Sequence, residues 1–131
     1  MKKLRLSLKT NWFEMTKAVI KTEDYREITP YWFSRFVFHY KDVFKYCTGY
    51  NWDDGMYLDE GVDYITTLRK SRFGFKPFDV NEMTLGYPKN EDTDKVVRFE
   101  HKGIEIRMGN PEWGAKPGKL YFVIKHGEIL S

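Results

Sequence analysis

The sequence predicts an α+β domain: a partly closed barrel of five or six strands with one or two short helices on its outside. Short apolar runs of period two recur between turn signals, as half-buried strands require. Helix-start signals occur only twice, both in the first quarter of the chain. Aromatic residues make up 18% of the chain, enough Phe, Tyr and Trp to fill a core. At 131 residues, one domain spanning 1–131 is expected.

Leu4, Leu6 and Leu8 alternate with Arg5, Ser7 and Lys9 and open the fold as a strand. Asn11 stands where an N-cap would, and Glu14 three residues on makes a variant capping box, so a short helix is predicted to about Ala18. Its apolar face would be Trp12, Met15 and Val19. KTEDYREI, residues 21–28, carries six ionisable side chains in eight, too polar for a core strand and too charged for an ordinary turn. Thr29-Pro30 is the second helix start. The aromatic stretch Tyr31 to Tyr46 fits helical and alternating templates in part, and Gly49 to Gly61 reads as a loop; VDYITTLRK fits a strand or a short helix.

From Phe78 the pattern sharpens. FDVNEMTLGY alternates and YPKNEDTD reads as an exposed loop. KVVRFEH and IEIRMG are predicted as the arms of a hairpin bent at Gly103. After the loop GNPEWGAKPGK, Leu120 to Lys125 forms a buried strand, and Gly127 permits a turn before Ile129 and Leu130.

Several function classes are disfavoured. The alternation in MKKLRLSLKT argues against a signal peptide, and no apolar run approaches the roughly 20 residues that span a bilayer. The single cysteine, Cys47, has no internal disulfide partner, which fits a reducing cytoplasm. His39, His101 and His126 share no ligand spacing with it, so neither a metal nor a cofactor is expected. Net charge is only +3, but residues 1–50 hold ten Lys/Arg against five Asp/Glu, the rest twelve against fourteen. A basic N-terminal half points weakly to a phosphate-bearing partner.

Three segments resemble the ASCH family of PUA-like barrels: LSLKTNWFEMTKAVIKTEDYREITPYW, the KGIEI arm, and GNPEWGAKPGKLYFVIKHGEIL. Residues 37–76 carry none of the likeness. The family signature is Gly-x-Lys-x-x-Glu-x-Arg after the first helix. Lys21 and Arg26 stand at its Lys and Arg positions, while Val19 replaces the glycine and Asp24 the glutamate. The resemblance implies a cleft beside the first helix, lined by this motif, and RNA or a nucleotide as ligand. It also implies kinship with amidohydrolases that deacylate modified cytidines such as N4-acetylcytidine. Relatives with an EWGAEPGK-like motif are typical of phages and prophages.

Lys21 and Arg26 can hold a phosphate while Asp24 orients the arginine or reads a base amino group. Tyr25, Trp32 and Trp113 can stack on a base, and Lys116 and Lys119 can add phosphate contacts. A desolvated Lys21 can instead act as a base toward water or a hydroxyl. The deacylating relatives are expected to have threonine where Asp24 stands, so Thr22 would have to supply the hydroxyl or Asp24 activate water. No distant glutamate is singled out among Glu82, Glu100, Glu105 and Glu112. The bland alternative is a surface ion-pair cluster in a protein-interaction module, requiring no ligand.

Overall fold

Why each strand forms where it does follows largely from alternation, and the computed structural model describes residues 2–37, 56–57 and 74–130. The elements run β1 Lys3–Leu8, α1 Thr10–Lys17, β2 Glu23–Glu27, α2 Pro30–Phe36, β3 Met56–Tyr57, β4 Val80–Leu85, β5 Val96–Met108 and β6 Lys119–Ile129, with 3-10 turns at Thr93–Lys95 and Pro111–Trp113. Five strands lie in the order β1–β4–β5–β6–β2, and β3 pairs with β6 off this path. β1 runs parallel to β4, in register Lys3 to Val80, and β4 antiparallel to β5. The path does not close on itself, so this α+β sheet is mixed and open, consistent with a partly closed barrel. KTEDYREI supplies β2, an end strand of this path, where charge is a usual protection against further pairing. The strand-or-helix alternatives at VDYITTLRK, the Gly49 to Gly61 loop, His39 and Cys47 lie outside the described residues.

Two compact units make up the chain: Met1–Asp24, Pro77–Gly103 and Ile124–Ser131 form the first, Tyr25–Lys76 and Ile104–Val123 the second. In the first, cross-strand partners share a face, so Leu4 and Leu6 align with Asn81 and Met83, and these with Phe99 and Val97. All six are buried, as is Phe13 of α1. On the opposite face Arg5, Glu82 and Arg98 form a lateral row. Glu82, itself 5% exposed, lies 2.8 Å from Arg98, 3.3 Å from Arg5 and 3.8 Å from Lys3. Alternation in β4 therefore does not mean one wet face: both sides are covered, one by leucines and one by cationic side chains. The second unit is built around Phe122, which meets Phe33, Phe36 and Phe75 edge-on with ring centroids 5.3 to 6.0 Å apart.

Four local expectations are corrected. Helix α1 begins at Thr10 behind Lys9, which makes no side-chain cap, so the Asn11–Glu14 box does not form. Its buried residues are Phe13 and Thr16, whereas Trp12 and Met15 are half-buried and Val19 is exposed. The hairpin at Gly103 is instead one 13-residue strand, whose φ of 108° at Gly103 is absorbed without reversal of the chain. Gly127 likewise makes no turn. It lies within β6, where a Cβ would come 2.7 Å from Lys102 Cε and 2.9 Å from Glu100 Cβ, so close approach explains the glycine. The Thr29-Pro30 start is as expected: Thr29 Oγ1 accepts from Trp32 N at 3.4 Å.

Candidate functional site

Helix α1 ends in a way that sets the position of Lys21. Val19 N donates to Thr16 O and Ile20 N to Met15 O, the paired bonds of a Schellman motif, with Lys21 N also donating to Met15 O. The residue after the cap in such a motif takes left-handed backbone and is usually glycine. Here it is Val19, at φ 60°. The chain leaves this cap directly into Lys21, whose side chain turns inward.

Lys21 and Asp24 meet in the first unit. Lys21 Nζ donates to Glu23 O at 2.7 Å and to Asp24 Oδ1 at 3.3 Å, and the two residues are 2% and 3% exposed. This is a buried ion pair, not the surface cluster of the bland alternative. Thr22 is exposed, and its carbonyl accepts from His126 N at 3.1 Å, which brings β6 alongside.

Three further polar side chains lie within this unit that sequence reasoning missed. Asn81 sits on the inner face of β4 and is fully buried. Its amide nitrogen lies 3.1 Å from Lys125 O and 2.8 Å from His126 Nδ1, and its oxygen 2.6 Å from His101 Nδ1. The His126 ring stacks on Phe99 with centroids 4.8 Å apart. Its pKa is lowered to about 4, chiefly by burial, with Asp24 and Glu23 opposing that shift and Lys21 and His101 adding to it. Burial also lowers His101, against the pull of Asp79. His126 Nε2 is buried and has no hydrogen-bond partner among the described residues. Sequence separations of 20 and 45 residues conceal this trio, since only the β4–β5–β6 strand order brings it together.

The other predicted residues belong to the second unit. Arg26 lies 5.0 Å over the Trp32 ring, which also stacks on Phe36 at 5.3 Å. Tyr25 packs on Tyr121 at 5.7 Å, and its hydroxyl accepts from Asn110 N at 2.9 Å. The Tyr121 hydroxyl accepts from Lys116 N, also at 2.9 Å, so two phenols pin the GNPEWGAKPGK loop at both ends. Gly109 is required there, because a Cβ would lie 2.7 Å from Ala115 Cβ and 2.8 Å from Tyr25 Cε1. Trp113 is half-buried on the Pro111–Trp113 turn, and the Lys116 side chain is exposed. Lys119 is 1% exposed, donates to Glu27 Oε1 at 2.7 Å and lies over Tyr121 at 5.5 Å. A phosphate at Lys119 would therefore have to displace Glu27.

Of the four glutamates considered for catalysis, Glu82 is held by Arg98, Arg5 and Lys3, Glu105 by Arg107 at 3.0 Å, and Glu100 by Lys102 at 3.5 Å. Glu112 N donates to Asn110 Oδ1 in the loop. Among the described residues no group of three His, Cys, Asp or Glu side chains is placed to hold a metal ion, and no helix is long and apolar enough to cross a membrane. No family model matches the chain, and comparison with curated proteins and with solved structures finds no match.

Proposed function

We propose that the protein is an RNA- or nucleotide-binding module of the ASCH type, with the Lys21–Asp24 pair at the floor of its ligand site. The observation that carries this reading is the burial of that pair beside an unsatisfied histidine. A buried ion pair contributes little to stability, and apolar residues of similar volume are often as stable or more so. Charged groups placed inside a 131-residue domain at that cost call for a reason other than folding. Left-handed backbone at Val19 adds support, since the signature glycine would suit that conformation. The cytoplasmic and phage-type expectations rest on the resemblance and on the single cysteine alone.

Binding is preferred to hydrolysis because Lys21 Nζ is already engaged with Glu23 O and the Asp24 carboxylate, whereas a general base must turn a free lone pair toward its substrate. The test replaces both charges together, Lys21→Met with Asp24→Leu, so that neither is left buried alone. The double variant is expected to fold with stability within about 1 kcal/mol of wild type. It should also lose affinity for nucleoside 5′-monophosphates and a short single-stranded RNA, measured by calorimetry and fluorescence anisotropy. Undiminished affinity overturns the reading. Release of cytidine from N4-acetylcytidine by the wild type would replace it with the amidohydrolase, and absence of any nucleotide binding with the interaction module.

A further inference from the structure

Hydrogens in the His101–Asn81–His126 chain are assigned by what each neighbour can accept. Lys125 O is only an acceptor, so the Asn81 atom facing it is the amide nitrogen. That nitrogen also faces His126 Nδ1, which therefore accepts. Neutral imidazole then carries its hydrogen on Nε2. Asn81 Oδ1 in turn accepts from His101 Nδ1. The His126 ring is held flat on Phe99, so the direction of its Nε2–H is fixed. This donor is buried and unpartnered among the described residues, the costliest state for a hydrogen-bonding group. In this tautomer Nε2 donates and offers no lone pair to a metal.

From this arrangement the geometry assigns His126 Nε2–H as a ligand-binding donor for a carbonyl oxygen or unprotonated ring nitrogen of a neutral heterocycle, with Asn81 and His101 as its positioning residues. A neutral acceptor fits because the donor is uncharged and the adjacent Lys21 and Asp24 charges offset each other. The assignment rests on the nucleotide reading above and names the atom that would read the base. It carries its own thermodynamic signature. Replacing an unsatisfied buried N–H by C–H does not harm folding, whereas replacing one that meets a ligand harms binding. In His126→Phe, Asn81 still donates to Lys125 O but its second amide hydrogen loses His126 Nδ1, so one unpaired buried N–H is exchanged for another.

The experiment uses the four nucleoside 5′-monophosphates as probes, with wild type, His126→Phe and His126→Gln, the amide of Gln being able to place an N–H near the Nε2 position. Long-range proton–nitrogen NMR at pH 7 should show hydrogen on Nε2 of His126 and on Nδ1 of His101. His126→Phe should leave the Tm close to that of wild type and weaken whichever monophosphates bind wild type by about tenfold, the size of one net hydrogen bond. Gln should recover most of that loss. Hydrogen on Nδ1 of His126, affinity unchanged in the Phe variant, or affinity lost only together with several degrees of Tm each overturns the assignment. If no monophosphate binds wild type, the nucleotide reading itself fails and takes the assignment with it; binding that survives in His126→Phe sinks the assignment alone.

Discussion

Val19→Gly should stabilise the protein, although it removes a side chain. Left-handed backbone costs an L-residue roughly 1–2 kcal/mol, and a β-branched side chain stands at the upper end of that range. Glycine removes this strain but adds about 0.5–1 kcal/mol of chain entropy to the unfolded state. Val19 is 52% exposed, so the packing lost is only a fraction of the value for a fully buried valine. The balance is a gain of about 1 kcal/mol, or roughly 3–5 °C in Tm for a chain of this length. Urea titration measures it directly. Val19→Asn, which tolerates left-handed backbone without the full entropy of glycine, should also gain, while Val19→Ala should not, since it keeps the Cβ. If Gly and Asn both match or fall below wild type in stability, the residue is not held in the Schellman position that the Val19 and Ile20 hydrogen bonds describe.

Stability should fall as pH drops from about 6.5 to 4. His126 is neutral when folded, with a pKa of about 4, but takes up a proton near 6.5 when unfolded. In that window the unfolded chain binds more protons, so its contribution is complete above 6.5 and is lost on acidification, by roughly 3 kcal/mol at the lower end. His101 shifts the same way and adds to the slope. His126→Phe should flatten the profile measured by denaturant titration; an unchanged slope would refute the assignment to this residue. Gly109→Ala should lose about 1–3 kcal/mol, because its Cβ would overlap Ala115 and the Tyr25 ring. Relaxing the ring with Tyr25→Leu should make the two losses less than additive in a double-mutant cycle.

Alternation revealed β1 and β4 because each side chain on those strands answers to one face, and the leucines fix that face. It did not reveal that Glu82 would be buried, since the cations that cover it come from β1 and from β5 at Arg98. Lys21 and Asp24 were legible as residues worth naming; their burial was not, because six ionisable groups in eight read as surface. The His101–Asn81–His126 chain was invisible for a different reason: a histidine shows its partner only through strand order. Gly103 misled because positive φ signals a turn but a long strand can also contain it. Asn81 was the one available clue, an amide on the same side of the strand as Met83.

The parallel pairing of β1 with β4 has a kinetic consequence. Lys2 N donates to Asp79 Oδ2 across 77 residues, so the strand nearest the start of this sequence has no partner in β4 until more than half of the chain has followed it. Until then Leu4, Leu6 and Leu8 present an apolar ribbon to whatever is nearby, the type of surface through which nascent chains aggregate. Lys3, Arg5 and Lys9 flank those leucines with like charge and oppose self-association during the wait. Two of the same cations later pair with Glu82, so residues that keep the strand soluble during synthesis become part of the finished sheet.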